Sequence, residues 1–135
     1  HLAGAIVMRR GDSVEGGVGL DIEPIMAAAR AAKLARKILT RDESAAMQAT
    51  AALSDAEATS IAFSVKEALF KCLHPPTRRM FFLSDAAVGG VDLAGDTGTV
   101  DVRLTTRLSD AFADGRCFRA SVAIREGVVF AVVAI

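Results

Sequence analysis

Residues 54–72 read SDAEATSIAFSVKEALFKC, and the fold class turns on that stretch. Ser54 and Glu57 have the spacing of a capping box, in which hydroxyl and carboxylate satisfy each other's unpaired backbone N–H groups. Ile61, Val65, Ala68, Leu69 and Cys72 follow at i, i+4, i+7, i+8 and i+11, so the segment predicts a long amphipathic helix. Pro75 and Pro76 are read as its stop, with His74 meeting the last carbonyls. At about 100° per residue, Phe63, Glu67 and Lys71 point away from the apolar stripe, and Lys66 lies between the two faces.

Upstream, residues 16–24 read GGVGLDIEP. The period of two predicts a strand with Val18, Leu20 and Ile22 on an apolar face and Gly19, Asp21 and Glu23 on the other. Pro24 ends it. Residues 2–8 predict an earlier strand, closed by a turn at 9–12. Residues 27–39 predict a helix on the stripe Ala31, Leu34, Ala35 and Ile38, and 42–53 a second with a weaker pattern. Beyond Met80 the composition turns to β, with strands near 81–91, 98–105, 117–126 and 128–134. Turn signals stand at Gly89-Gly90, Gly95-Asp96, Asp114-Gly115 and Glu126-Gly127, the last closing a hairpin. This pattern implies an α+β domain, three helices packed on one side of a mostly antiparallel sheet.

The chain has 135 residues, the size of one domain, and 52% hydrophobic residues supply a core. Sixteen basic and sixteen acidic residues cancel, which removes the uniform basic field of a non-specific nucleic-acid binder. Cys72 and Cys117 are far apart and outside any CxxC pattern, which argues against a zinc site and a disulfide framework. The longest apolar run, 128–135, is too short to span a bilayer as a helix. The expectation is a soluble, cytoplasmic protein. His1 directly precedes an apolar run and Ile135 falls inside a strand pattern, so a piece of a longer protein is expected. Arg30, Lys33, Arg36, Lys37 and Arg41 read as a solvated helix face.

Chemistry concentrates in two places. Asp21 and Glu23 lie two apart on a strand, so both carboxylates leave the same face. Two converging anions are costly without a cation, and Mg²⁺ suits hard oxygen donors. An isolated D-x-E is more commonly a solvated strand end. Glu67 and Lys71 alone would read as an i, i+4 surface pair worth a few tenths of a kcal/mol. Phe63 on the same face implies that something packs there.

The pair of blocks, Gly19-Leu20-Asp21-Ile22-Glu23 and Phe63-Ser64-Val65-Lys66-Glu67-Ala68-Leu69-Phe70-Lys71, resembles the signature of the 4'-phosphopantetheinyl transferases. The resemblance is to the Sfp and enterobactin synthetase component D group, G-[IV]-D-[IV]-E and then [FW]-S-x-K-E-x-x-[FY]-K, with Leu20 as the one departure. It implies Mg²⁺-dependent transfer of 4'-phosphopantetheine from coenzyme A to a serine of an acyl or peptidyl carrier protein. By the same resemblance Asp21, Glu23 and Glu67 are the metal ligands. Glu67 is also the base toward the carrier serine, and Lys71 contacts phosphate and assists the leaving group. Lys66 and His1 match further phosphate-facing positions, His1 slightly farther from Asp21 than is usual.

Members of that group are roughly twice this length, in two pseudo-symmetric halves. The chain therefore resembles a C-terminal half, and self-association or a separate N-terminal half is expected. The single-domain holo-acyl-carrier-protein synthases are closer in length, but their motifs match less well. Two other readings stay open. One is a half-domain that binds coenzyme A and metal without turnover, the other an α+β module with a surface acidic cluster. The pathway, whether siderophore, polyketide, lipid or amino acid, is not legible.

Overall fold

The capping box forms as its residues dictate. Ser54 Oγ accepts the Glu57 N–H at 3.2 Å, and Glu57 Oε2 accepts the Ser54 N–H at 2.8 Å. From this cap runs the helix that organises the molecule, Asp55–Thr77. The computed structural model describes residues 4–5, 17–50 and 53–135. In chain order the elements are β1 (Val18–Pro24), α1 (Ala28–Ile38), α2 (Arg41–Thr50), α3 (Asp55–Thr77), a 3-10 turn (Leu83–Asp85), β2 (Ala86–Ala94), β3 (Thr97–Leu104), β4 (Cys117–Arg125) and β5 (Val128–Ala134). Except for Gly4 and Ala5, the strand expected at 2–8 lies outside the described residues.

The strands form one sheet in the order β1-β5-β4-β3-β2, every neighbouring pair antiparallel. The expected α+β architecture, three helices on an antiparallel sheet, is the one observed. Helix α3 crosses the inner sheet face over β1 and β5, α1 packs on α3, and α2 lies against β2. The predicted stripe is wholly buried, and burial spreads beyond it to Ala62, Ser64, Lys66 and Leu73. Between its solvent-exposed ends, α3 keeps solvent contact along a narrow line of Phe63, Glu67, Phe70 and Lys71.

Two expectations about backbone are corrected. Pro75 and Pro76 do not stop α3, which runs through both to Thr77 and ends at Arg78 in the left-handed region. A proline withholds an N–H, but its fixed φ is helical, so near a C-terminus it forfeits a bond without forcing an exit. The last turn is closed by others. Thr77 Oγ1 donates to the Leu73 carbonyl at 2.7 Å, and the Arg78 N–H donates to that of His74 at 2.7 Å. The His74 ring packs 5.2 Å from Phe70.

Gly89-Gly90 is a bulge inside β2 and not a turn. Val88 pairs with Val102 and Val91 with Val100, so β2 gains one residue and both valines face the core. The Glu126-Gly127 hairpin forms as expected, with both residues at positive φ, 50° and 74°, as a two-residue primed turn requires.

Candidate functional site

The site is built where β1 runs antiparallel to α3. Two strand residues advance about 6.7 Å and four helix residues about 6 Å, so the elements stay in phase for several steps. Small residues on α3 meet each step. A Cβ on Gly17 would lie 2.5 Å from the Cys72 carbonyl oxygen, and one on Gly19 only 1.9 Å from that of Ala68. The next step pairs Asp21 with Ser64, and beyond the strand the Met26 N–H donates to Ser60 Oγ at 2.9 Å. Backbone contact at the two glycines draws the Asp21 side of β1 against the helix. The face that carries Gly19 and Asp21 is therefore the inner one.

Asp21 is 4% exposed, yet both its oxygens are satisfied. Oδ2 accepts from Ser64 Oγ at 2.7 Å, and Oδ1 lies 2.6 Å from Lys71 Nζ, which arrives from the solvent line of α3. Glu67, one turn before Lys71, is half-buried. Burial pushes its carboxyl above the ordinary range, the charge on Asp21 raises it further, Lys71 opposes, and Glu23 adds to the rise. Glu67 thus feels the charges of Asp21 and Glu23, with the Lys71 ammonium as counter-charge.

Asp21 and Glu23 both raise the Glu67 carboxyl, a repulsion that a hard divalent cation relieves, so the set Asp21, Glu23 and Glu67 fits Mg²⁺ in kind. Among the described residues no group of three His, Cys, Asp or Glu is already gathered closely enough to hold an ion. The Lys71 ammonium sits against Asp21 instead. Its side chain is long and 47% exposed.

Lys66 departs from its expected placement. Its ammonium is 2% exposed, 2.7 Å from Glu43 Oε1 and 2.7 Å from the Ile38 carbonyl oxygen, to which it donates. It points inward and is fully engaged there, although the residue also borders a cleft of about 190 Å³ between Glu67 and Phe70 on α3 and residues 80–83. Burial alone would raise the Glu43 carboxyl. The Lys66 ammonium and the N–H groups of Thr40 and Val88 outweigh that and hold it below the usual carboxylate range.

A larger hollow of about 690 Å³ lies among the three helices. Its one titratable lining residue, Asp55, accepts a bond from Gln48. Of the two, the cleft beside Glu67 is the one lined by an acid of the motif blocks. His1 is outside the described residues.

Sequence reasoning missed Glu43, to which it gave no role beyond a weak helix. The signal was Thr40-x-x-Glu43, a capping box at the start of α2. Thr40 N–H donates to Glu43 Oε2 at 2.7 Å, and Glu43 N–H to Thr40 Oγ1 at 3.2 Å. It also gave no role to Ser64, although Ser60, Ser64, Ala68 and Cys72 form a small-residue line at i+4 spacing.

The family model of the 4'-phosphopantetheinyl transferase superfamily matches residues 17–121, from β1 through all three helices into β4. No curated protein matches the chain.

Proposed function

The chain belongs to the 4'-phosphopantetheinyl transferase superfamily, and on that premise we propose that it transfers 4'-phosphopantetheine from coenzyme A to a carrier-protein serine. The acceptor is an acyl or peptidyl carrier protein, making the chain a holo-[carrier protein] synthase of the Sfp and enterobactin synthetase component D kind. In this reading the 135 residues are one transferase domain, comparable with the C-terminal half of the larger enzymes. A cytoplasmic location accompanies the proposal. Among the described residues no helix is long and apolar enough to cross a membrane.

Asp21, Glu23 and Glu67 would hold Mg²⁺, whose contribution when bound is neutralisation of pyrophosphate charge. The serine hydroxyl attacks the phosphorus that carries the pantetheine arm. A new P–O bond forms, the bond to the bridging oxygen breaks, and adenosine 3',5'-bisphosphate leaves. Glu67 takes the serine proton, a role its raised carboxyl suits. Lys71 exchanges Asp21 for phosphate oxygens and stabilises the charge that develops on the leaving group. His1 is a further phosphate contact in this reading, and Lys66 is not.

The observation that carries the proposal is the Asp21–Lys71 contact within the electrostatic reach of Glu67. It joins an acid of the first motif block to the lysine of the second at the β1–α3 crossing. The test is the mass of an apo carrier protein incubated with the chain, coenzyme A and Mg²⁺. A gain equal to one phosphopantetheine, absent without Mg²⁺, is expected. Tight Mg²⁺-dependent binding of coenzyme A with no gain across a panel of carriers would leave a binding module instead.

A further inference from the structure

We propose that Glu43, which lies outside both motif blocks, is a positioning residue for Glu67 and acts on it through Lys66. The inference rests on the transferase reading of Glu67. Oε1 of Glu43 is 2.7 Å from Lys66 Nζ and accepts the Val88 N–H at 2.9 Å, while Oε2 accepts the Thr40 N–H at 2.7 Å. Lys66 Nζ also donates to the Ile38 carbonyl at 2.7 Å. One buried ion pair thus joins the end of α1, the start of α2, the middle of α3 and the bulged strand β2.

The pair is almost wholly screened from water, with side chains 2% and 6% exposed. Apolar side chains of matching size would stabilise such a core at least as well, so what the pair adds is geometry. Lys66 immediately precedes Glu67 on α3. Holding its ammonium at two fixed acceptors sets the rotation of α3 about its axis, and with it the direction in which the Glu67 carboxylate leaves the helix. The glycine contacts of β1 and the Ser60 and Ser64 hydrogen bonds tie the β1 side of α3 to the sheet. The buried pair ties a second side of the helix to α1, α2 and β2.

Three kinds of measurement separate this role from direct phosphate contact and from plain stabilisation. Lys66→Met and Glu43→Gln, assayed well below their melting temperatures, are expected to lose about 10- to 100-fold in kcat, the cost of a small misplacement. KM for coenzyme A should stay within about twofold, and the double variant should be no worse than either single one, since the residues act as a unit. A Lys66→Met variant that raises KM for coenzyme A while Glu43→Gln behaves as wild type would overturn the proposal in favour of a phosphate ligand. Wild-type kcat in both folded variants would reduce the pair to stability alone.

Should the variants not fold, lysine labelling of the unaltered chain decides. Lys66 should resist amine acylation equally with and without coenzyme A and Mg²⁺, whereas Lys71 should label freely and become protected by them. Labelling of Lys66 that coenzyme A suppresses would overturn the proposal. If the unaltered chain transfers nothing to any carrier, both this inference and the transferase reading fall. Transfer with unaffected variants removes this inference alone.

Discussion

Two buried or half-buried glutamates respond to pH in opposite senses. Glu67 has its carboxyl raised in the folded state, so the folded chain binds that proton more tightly than the unfolded chain. Its contribution is therefore complete at low pH and fades as pH rises through the folded value. In melts without Mg²⁺, Glu67→Gln should leave the melting temperature at about pH 7 equal to or above that of the parent, and the variant should show no transfer. Glu43 is lowered, so its contribution is present above the ordinary carboxylate value and is lost as pH falls through the folded one. Melting curves taken from about pH 7 down to about pH 3 should show an acid-side loss that Glu43→Gln flattens. Asp21 differs from Glu67 in being bonded at both oxygens. Asp21→Ala is expected to abolish transfer and also to cost about 1–3 kcal/mol in denaturant titration, because Ser64 is left buried without its acceptor. An unchanged midpoint would mean that the Ser64 bond adds nothing.

At the scale of elements, β1 and α3 are coupled by absence of side chains. Adding one methyl at Gly19 puts it 1.9 Å from a helix carbonyl oxygen, and the strand or the helix must move. Gly19→Ala should cost at least the about 1–3 kcal/mol typical of overpacking and should lower transfer as well, since Asp21 is two residues away. Gly17→Ala, with a 2.5 Å approach nearer the start of the strand, should be milder on both counts. Chemical denaturation and the carrier mass assay read the two effects separately. Equal tolerance of both substitutions would show that α3 is not pinned at Gly19. The capping box offers a control remote from Asp21. Ser54→Ala should cost about 1 kcal/mol and spare the transfer rate.

Among the described residues, apolar side chains line two sides of the molecule, one of them approached by Gly4. Leu20 and Ile22 pair in register with Val132 and Phe130 on the sheet face turned away from α3, where they are half-buried. At the mouth of the cleft Met80 and Phe82 are 67% and 70% exposed, in a chain whose formal charge is zero. Apolar patches on a chain without net charge favour association. The chain is expected to self-associate in light scattering, and Met80→Ser with Phe82→Ser to weaken that association without a change in melting temperature. A monomer at every concentration would contradict this expectation and leave no support for assembly of two such halves.

The sequence by itself determined the three helices and most of the strands. The 54–72 period and its cap specified α3, the alternation from Val18 specified β1, and Glu126-Gly127 specified the last hairpin, because each depends on neighbours a few residues apart. The same local logic failed at Pro75-Pro76 and Gly89-Gly90. There, closure of the last turn by Thr77 and Arg78 and the burial of both Val88 and Val91 overrode the usual meaning of the residues. Which face of β1 would be buried was also not local. Alternation names two faces but not the one that meets a helix, and only the close approach at Gly17 and Gly19 turned Asp21 inward. The placement of Lys66 lay furthest beyond the sequence. Its partner is an acid on another helix, and a long flexible side chain takes whichever counter-charge the packed fold sets within its reach.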